Sequence, residues 1–567
     1  MNASLQRDVD TDVIIVGGGP IGLTTACALA HHGVDFRVFE QRVQARPHSR
    51  ANNLWARPQE LLHSIGIRDA LAERSYRITK VSTLLNGQTV DPVEIADIAS
   101  PYAQVLYSGQ DLIETVLAEQ LEAKGGSVER GRRITGFEQD ADGVTITLAK
   151  CGSGDQADGP TEQVRCRYLI GADGGDSAVR KQLGLDFEPK KLPKRMNRQV
   201  DAKLRWRRST DFDQLWFFYY PKGFCGVLPV WGGYHRLFSL ADDTGIPERD
   251  PTLEEMQTIA REVTEDPTLT LTLSDPIWLT HSRFQHGTAA HYAKGRVLLV
   301  GDAGHRTLPI GGQGMNAGLH DAIGLAWRLA MTLQGKTAPV VLDSYDVERG
   351  GEHRELDERQ ARGFHNSVYR GPIKDAAMGI AAKLIPTIGT LIQGSDDLQQ
   401  LSVAYPQSPL NDDHLGGLRE LLQRRVPHCG DRAPDANVVA ADGTSTTLFA
   451  HLYNPDGWSW GWALLAFDGR QHDAMPPLRL ALAGLEAWPW LRPRLILGAA
   501  MPQPDDATAL SDLDGAAHAA YGIADTSALI VVRPDGHIAF RGRADAPELL
   551  RAYCERVFDP ATEGAAR

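Results

Sequence analysis

Two glycine-rich turns carry the chemistry that this chain can do. The first is Gly17-Gly18-Gly19-Pro20-Ile21-Gly22, directly after the apolar run Val13-Ile14-Ile15-Val16. Gly17, Gly19 and Gly22 occupy the three glycine positions of G-x-G-x-x-G. One permits the tight turn, one lets backbone approach a diphosphate, and one lets helix pack on strand. The N–H groups at the helix start then face negative charge. Glu40 closes the next strand about 20 residues on, where an acid takes ribose hydroxyls. The second turn is Gly311-Gly312-Gln313-Gly314-Met315-Asn316, shortly after Leu298-Leu299-Val300-Gly301-Asp302. Asp302 ends a buried strand, where an acid hydrogen-bonds the hydroxyls of a polyol; without the second turn it would read as a capping aspartate. The positive end of the following helix suits an anion, and reduced flavin carries negative charge on its pyrimidine side. A ligand held at both turns is long, with a diphosphate at one end and an anion-prone ring at the other. FAD fits that description better than a nicotinamide nucleotide.

The elements around these turns are those such a site needs. Residues 12–16 read as a buried strand, 20–32 as a helix ending at Gly33, and 34–40 as a second strand. That is the strand-turn-helix-strand unit of a dinucleotide fold. Residues 164–170 form a strand that ends at Gly171-Ala172-Asp173-Gly174. Between about 210 and 242 the pattern changes. Leu215-Trp216-Phe217-Phe218-Tyr219-Tyr220 is an aromatic strand, and 224–230 and 234–240 run back and forth after glycine turns. Three strands with tight turns predict an antiparallel meander, placed as a wall over the cofactor. Residues 297–300 resume the buried-strand pattern, and 316–333 form a helix. Beyond about 396 the strands 463–467, 495–497 and 529–532, the turn Arg533-Pro534-Asp535-Gly536-His537 and a closing helix over 546–558 suit a separate α/β domain.

Three motifs in this order and spacing resemble the signatures of the single-component flavin-dependent aromatic hydroxylases, which share the fold of para-hydroxybenzoate hydroxylase. They are the Gly17 turn, Gly171-Ala172-Asp173-Gly174 with Ser177 and Arg180, and Gly301-Asp302 through Pro309 to Asn316. The resemblance covers roughly residues 10–380. It implies bound FAD held by Gly17, Gly19, Pro20, Ile21 and Gly22, with Glu40 and its neighbour Gln41 at the adenosine ribose. Asp302 would take the ribityl chain. Pro309, Gly312, Gly314, Met315 and Asn316 would line the ring, and Arg50 and Gln110 would contact the middle of the cofactor. Asp173 and Arg180 belong to a motif linked to both FAD and pyridine nucleotide; as bare residues they read equally as a structural turn or ion pair. Two departures are visible: Ala303-Gly304-His305 stands for the usual Ala-Ala-His, and Thr307-Leu308-Pro309 keeps one of two common prolines. The C-terminal part resembles the thioredoxin-like domain of phenol hydroxylase and the polyketide aromatic hydroxylases, through Val531-Val532-Arg533-Pro534-Asp535-Gly536 and Phe540-Arg541-Gly542. It has no Cys-x-x-Cys, so it performs no dithiol redox chemistry and is expected to pack or dimerise.

The implied reaction needs few side-chain catalysts. NADPH or NADH, bound transiently, reduces the flavin; O2 adds to give a flavin hydroperoxide, whose distal oxygen attacks an electron-rich phenol. The protein excludes water, holds the ring and favours the phenolate. Trp216, Phe218 and Tyr220 are one face of the aromatic strand and Phe217 and Tyr219 the other; only one face can line the pocket, and the first is taken as the substrate wall. His281 and Asn53 are further substrate-binding candidates. His235, Tyr234 and Arg283 are candidates for orienting or deprotonating a phenol, since a histidine titrates near neutrality, although a lone strand histidine is more often satisfied in the core.

Bulk properties agree with this reading. A chain of 567 residues with 72 acidic and 59 basic groups has net charge −13, against nucleic acid as partner. No segment has the ~18 apolar residues of a membrane span, and the first eleven residues lack the apolar stretch of a signal peptide. Six scattered cysteines without metal spacing suggest a reduced, cytoplasmic protein with no metal. The expected fold is α/β: a Rossmann-type FAD-binding domain over 1–190 and 277–395, an inserted antiparallel substrate domain over 191–276, and a thioredoxin-like domain over 396–567. The expected function is NAD(P)H- and O2-dependent hydroxylation of a phenolic or polycyclic aromatic compound, by a possible homodimer. Alternatives are epoxidation or Baeyer–Villiger oxygenation on the same fold, or a non-catalytic flavin-binding partner. A halogenase is disfavoured, because Trp458-Ser459-Trp460-Gly461-Trp462 lacks the Ile-Pro of that family's motif and falls in the C-terminal part.

Overall fold

Thr11–Val16 is the hub of the structure, a computed structural model. It describes residues 9–559 apart from 46, 48–50, 86–87, 95–97, 153–154, 188–189, 192–194, 207–210, 221–222, 243–244, 265–270, 309, 369–395, 416–425, 454–460, 470–474, 499–507 and 524–525. Arg50, Pro309 and Trp458 to Trp460 therefore lie outside the described residues. Thr11–Val16 pairs in parallel with Phe36–Glu40 on one side and with Ala157–Gly171 on the other. Val297–Leu299 joins Ala157–Gly171 in parallel, and Val128–Arg130 joins Phe36–Glu40. These strands are apolar through their length because helices cover both faces of a parallel sheet. An antiparallel hairpin, Arg132–Gln139 with Val144–Cys151, continues from the long strand Ala157–Gly171. Pro20–His31 and Gln313–Leu333 are the two helices that follow the glycine turns.

The second sheet has seven strands. Its centre is the expected meander, observed as Gln214–Tyr220, Gly223–Val230 and Tyr234–Asp242. It extends past residues 191–276 at both ends: Thr272–Ser282 pairs with Arg195–Arg205 at one edge, and Lys80–Leu85 with Gln88–Glu94 closes the other. Lys80–Leu85 runs parallel to the aromatic strand, a pairing between segments over 100 residues apart that local pattern cannot reveal. Helix Leu253–Thr264 packs on one face of this sheet.

The C-terminal sheet is mixed. Trp462–Phe467 lies at its centre, parallel to Leu491–Gly498 and antiparallel to Ala528–Val532. Met475–Ala483 and Pro547–Val557 accompany it. All six cysteines are buried and none forms a disulfide. No helix among the described residues is long and apolar enough to cross a membrane.

Candidate active site

The two glycine turns meet through one side chain. Ile21, inside the first turn, sits against Gly301 and Gly318: a Cβ on Gly301 would come 3.0 Å from its Cγ1, and one on Gly318 2.8 Å from its Cδ1. The two segments that must share one cofactor are therefore in contact. Within the first turn the glycines differ in role. Gly17 has φ +118°, and a Cβ there would lie 2.2 Å from the Ala172 carbonyl oxygen. A Cβ on Gly22 would lie 2.0 Å from the Gly17 oxygen. Gly19, the residue before helix Pro20–His31, would meet nothing within 4 Å. The room beside Gly19 is left open at the helix N-terminus, where backbone donors favour a diphosphate. Glu40 is buried, and its carboxylate accepts from Gly18 N–H at 2.8 Å and Arg42 N–H at 2.9 Å. It thus shapes the loop with both oxygens and keeps lone pairs for a ribose. Gln41 beside it is exposed.

The later turn is built around Asn316. Its Oδ1 accepts from Trp55 N–H at 3.0 Å, and its Nδ2 donates to the carbonyls of Asn53 and Gly312 at 3.0 and 2.8 Å. Trp55 Nε1 donates to the Gly311 carbonyl at 2.7 Å. Gly311 and Gly312 have φ +67° and +66°, so both need glycine. A Cβ on Gly312 would fall 2.0 Å from Asn53 Oδ1. The amide nitrogens of Asn52 and Asn53 are buried and have no hydrogen-bond partner. Two orphan donors beside a helix start are a fit for the acceptor-rich pyrimidine edge of a flavin. Gly314 stands against Thr307, and Met315 is half-buried. Gln110 accepts from Ala51 N–H at 3.3 Å and donates to Glu114 at 2.8 Å, so it orders the segment that follows Arg50.

Asp302 is exposed in the short turn Gly301–Ala303. Two struts hold that turn. Arg180 donates to the Ala303 carbonyl at 2.7 Å and to the Gly175 carbonyl at 2.8 Å. Asp321 accepts from Gly301 N–H at 2.9 Å. Asp173 accepts from Ala178 and Val179 N–H at 2.7 and 3.2 Å, capping the helix that carries Arg180. The middle motif is therefore a brace between the Gly174 loop and the Asp302 turn. Asp321 also meets His305 at 2.9 Å, Arg349 at 2.7 Å and His353 at 3.0 Å. His305, Asp321 and His353 are ligand-type residues grouped closely enough for a metal. The Arg349 guanidinium, also 3.0 Å from His353 Nε2, already supplies the cation there. Surrounding cations hold the Asp321 carboxyl well below its usual range, against its burial.

The seven-stranded sheet puts the three residues expected as the substrate wall into its core instead. Trp216, Phe218 and Tyr220 are buried in the core beneath helix Leu253–Thr264, with Val227, Leu237 and Met256. The alternate residues Phe217 and Tyr219 are half-buried and meet Phe224 at ring separations of 5.5 and 5.0 Å. Phe224 meets Phe238 at 5.6 Å. This face looks toward the Gly311 turn: Phe217 and Phe238 pack against the cluster containing Trp55, and Leu240 packs with Leu308. Period-two alternation alone gives the two faces equal weight. The helix contributed by residues 253–264, which decides it, lies outside the strand.

The same geometry sets the acid–base candidates His235, Tyr234 and Arg283, and the substrate-binding candidate His281, away from the Gly311 turn. His235 shares the helix-side face with Leu237, stacks on Phe212 at 4.6 Å, and is pushed down to about 4 by burial. Tyr234 begins its strand, about 20 Å along the sheet from Leu240 at 3.3 Å per residue. His281 pairs with Asp250 at 2.8 Å and Arg283 with Glu248 at 2.9 Å, in the loop before helix Leu253–Thr264. None of the four approaches the Gly311 turn on the aromatic face. In their place the flavin-side face carries Asn197, Gln199, Thr280 and Ser282 in register with Leu240 and Phe238. Asn197 Nδ2 lies 3.3 Å from both Gln199 Oε1 and Ser282 Oγ, and Gln199 Nε2 is buried without a partner. Each is an isolated polar residue in a strand, with no motif to announce it.

Comparison with known proteins agrees with this geometry. The family profile of the FAD binding domain matches residues 10–356, and that of the phenol hydroxylase C-terminal dimerisation domain matches 504–562. The chain belongs to the FAD-binding monooxygenase family: it is an FAD-dependent monooxygenase with a phenol hydroxylase-type C-terminal domain. It is 33% identical to the rifampicin monooxygenase of Streptomyces venezuelae, over 73% of this chain and 82% of that one. It is 29% identical to the 12-dehydrotetracycline 5-monooxygenase/anhydrotetracycline 6-monooxygenase of Streptomyces rimosus, over 95% and 96% of the two chains. Among solved structures, aklavinone-11 hydroxylase with FAD and aklavinone superposes with a TM-score of 0.73 at 25% identity, covering 98% of this chain and 99% of that one.

Proposed function

We propose that the protein hydroxylates a phenolic or polycyclic aromatic compound, consuming NAD(P)H and O2. One observation carries the substrate class: four aromatic rings, Phe217, Tyr219, Phe224 and Phe238, stand half-buried on the sheet face toward the flavin turn. Half-buried aromatic surface on an inner face suits a flat apolar ligand. Gly226 lies between Phe217 and Phe238, and a Cβ there would come 2.3 Å from Phe238 and 3.2 Å from Phe217. The polar strip of Asn197, Gln199, Thr280 and Ser282 beside the rings suits a substrate with an oxygen-bearing edge. The Gln199 amide is held by Asn197 on its oxygen, which leaves its N–H groups to donate to a carbonyl or phenolate. The names of relatives and neighbours, which act on rifampicin, anhydrotetracycline and aklavinone, support a polycyclic ligand.

Bound FAD supplies activation of O2 after reduction by NAD(P)H. The chain's own residues bind and orient. The Gly17–Gly22 turn and Glu40 take the dinucleotide end, Asp302 the ribityl hydroxyls, and the Gly312–Asn316 backbone the ring edge. Trp55 and the aromatic face exclude water and hold the substrate ring. No histidine or tyrosine from the meander serves as base; polar donors on Asn197, Gln199 and Ser282 stabilise a phenolate instead. We infer also that two copies pair through the C-terminal domain, supported by the match to a dimerisation domain; sedimentation would show one species at twice the chain mass. Buried cysteines that form no disulfide support a reducing, cytoplasmic setting.

The test is a panel of phenols, naphthols and anhydrotetracycline, scored by anaerobic flavin reduction and by mass of the aerobic product. Stimulated reduction with a product one oxygen heavier on an aromatic carbon is expected. Stimulation with a lactone or an epoxide instead would move the assignment to the alternative oxygenations.

A further inference from the structure

The segment that leads into the C-terminal domain passes through the active site. Leu398 packs in the cluster of Trp55, with Phe217 and Phe238. A Cβ on Gly311 would fall 2.4 Å from its Cδ1. The Leu398 carbonyl accepts from Gln313 Nε2 at 2.9 Å. Gln399 is buried, and its Oε1 and carbonyl accept the N–H groups of Ala56 and Arg57, each at 3.2 Å. Those are orphan donors of helix Ala56–Ser64, whose cap residue Trp55 offers no side-chain acceptor. Gln400 donates its amide N–H to Gln313 Oε1, on the first residue of the helix after the flavin turn.

Gln400 also has φ +60°, one of three non-glycine residues with positive φ among those described. A side chain rarely adopts this backbone, and such strain persists where the surroundings over-determine it. A segment that merely joined two domains would give its polar groups to water. Here the Gln399 Oε1 and carbonyl and the Gln400 amide N–H go to the two helices that frame the Gly311 turn. Beyond them the Val403 carbonyl lies 3.2 Å from His537 of the C-terminal domain.

We propose that Leu398, Gln399 and Gln400 form a clip that fixes the Gly311–Gln313 turn against Trp55 and the aromatic wall. Gln400 is a positioning residue for the flavin ring, and Leu398 a specificity-determining wall residue. The proposal rests on the flavin ring lying at the Gly311–Asn316 turn. The C-terminal domain then acts on the active site through this segment, beyond any part in assembly.

The experiment compares the parent with Gln400→Gly, Gln400→Asn and Leu398→Ala. Gln400→Gly removes both the amide and the backbone strain. FAD should bind about tenfold more weakly, as for one buried hydrogen bond lost, with a shifted visible spectrum of the bound flavin. The thermal midpoint of the FAD-free protein should hold or rise. Gln400→Asn tolerates the same backbone but is too short to reach Gln313, and should reproduce the FAD effect if the glycine variant folds poorly. Leu398→Ala should keep FAD affinity and spectrum, yet at least double the share of NAD(P)H oxidation that ends as H2O2 with the best phenol of the panel. Parent-like FAD affinity and spectrum in both Gln400 variants would overturn the clip. So would a Gln400→Asn affinity weakened only as far as its FAD-free midpoint falls, which marks a purely structural role. If the parent itself takes up no FAD, the flavin reading fails before the variants are compared.

Discussion

Phe238 and Trp216 belong to the same sheet and to opposite faces, and they should respond differently to truncation. Phe238→Ala removes one ring of the proposed substrate wall, so KM for the aromatic substrate should rise roughly tenfold, for a contact of about 1–2 kcal/mol, with little loss of stability. Trp216→Ala opens a cavity under helix Leu253–Thr264 and should cost about 3–5 kcal/mol, seen as a lower thermal midpoint with KM unchanged in the folded fraction. The reverse pattern would return the substrate to the other face. His235 gives a pH test. Burial pushes its imidazole down to about 4, from about 6.5 in the unfolded chain. Between those values the unfolded chain holds a proton that the folded chain refuses, so this contribution is present above about pH 6.5 and is lost as pH falls toward 4. His235→Phe should therefore lose less thermal stability than the parent on acidification across that window. Its pH profile of hydroxylation should match the parent's, since the imidazole faces away from the flavin turn.

The glycine turns make a sharper prediction, because the structure separates folding from binding within one motif. Gly17→Ala meets the Ala172 carbonyl at 2.2 Å and a φ of +118°, so it should yield little folded protein. Gly19→Ala meets nothing within 4 Å. It should fold with a normal midpoint and bind FAD on the order of 100-fold more weakly, about 2.7 kcal/mol, read by flavin fluorescence titration. The Gly17 turn was legible in the sequence because a diphosphate imposes glycine at fixed spacing next to a strand and a helix. The aromatic meander was legible as three strands for the same local reasons. Its working face was not, since Phe217 and Phe218 differ only by which side the helix Leu253–Thr264 covers. The parallel partner Lys80–Leu85 was invisible because nothing in either strand records a pairing so distant in the chain. Asp173 and Arg180 are legible by motif, and the Arg180–Ala303 contact adds that they brace the Asp302 turn.

The domains are bolted together by buried charge. Arg57 pairs with Glu60 at 2.8 Å and reaches Tyr453 and Asp535 of the C-terminal part, while Arg432 closes on Glu60. Glu348 is shared by Arg328 and Arg533, and Trp327 donates to Asp535 at 3.2 Å. Removing one member leaves an uncompensated buried charge, costing about 3–5 kcal/mol. Glu60→Gln should therefore lower the calorimetric midpoint of the flavin and C-terminal domains together; a drop confined to one would mean that they unfold separately. Such a joint lets a segment like Leu398–Gln400 hold its place between them. On this account the residues at the Ile21 contact and the Phe217–Phe238 wall would hold FAD and substrate between them. The most direct measurement is turnover of the purified yellow protein with NAD(P)H and a phenolic substrate under 18O2. One labelled oxygen on an aromatic carbon of the product is predicted. Product oxygen drawn from water, or a colourless protein that gains no flavin on incubation with FAD, would contradict it.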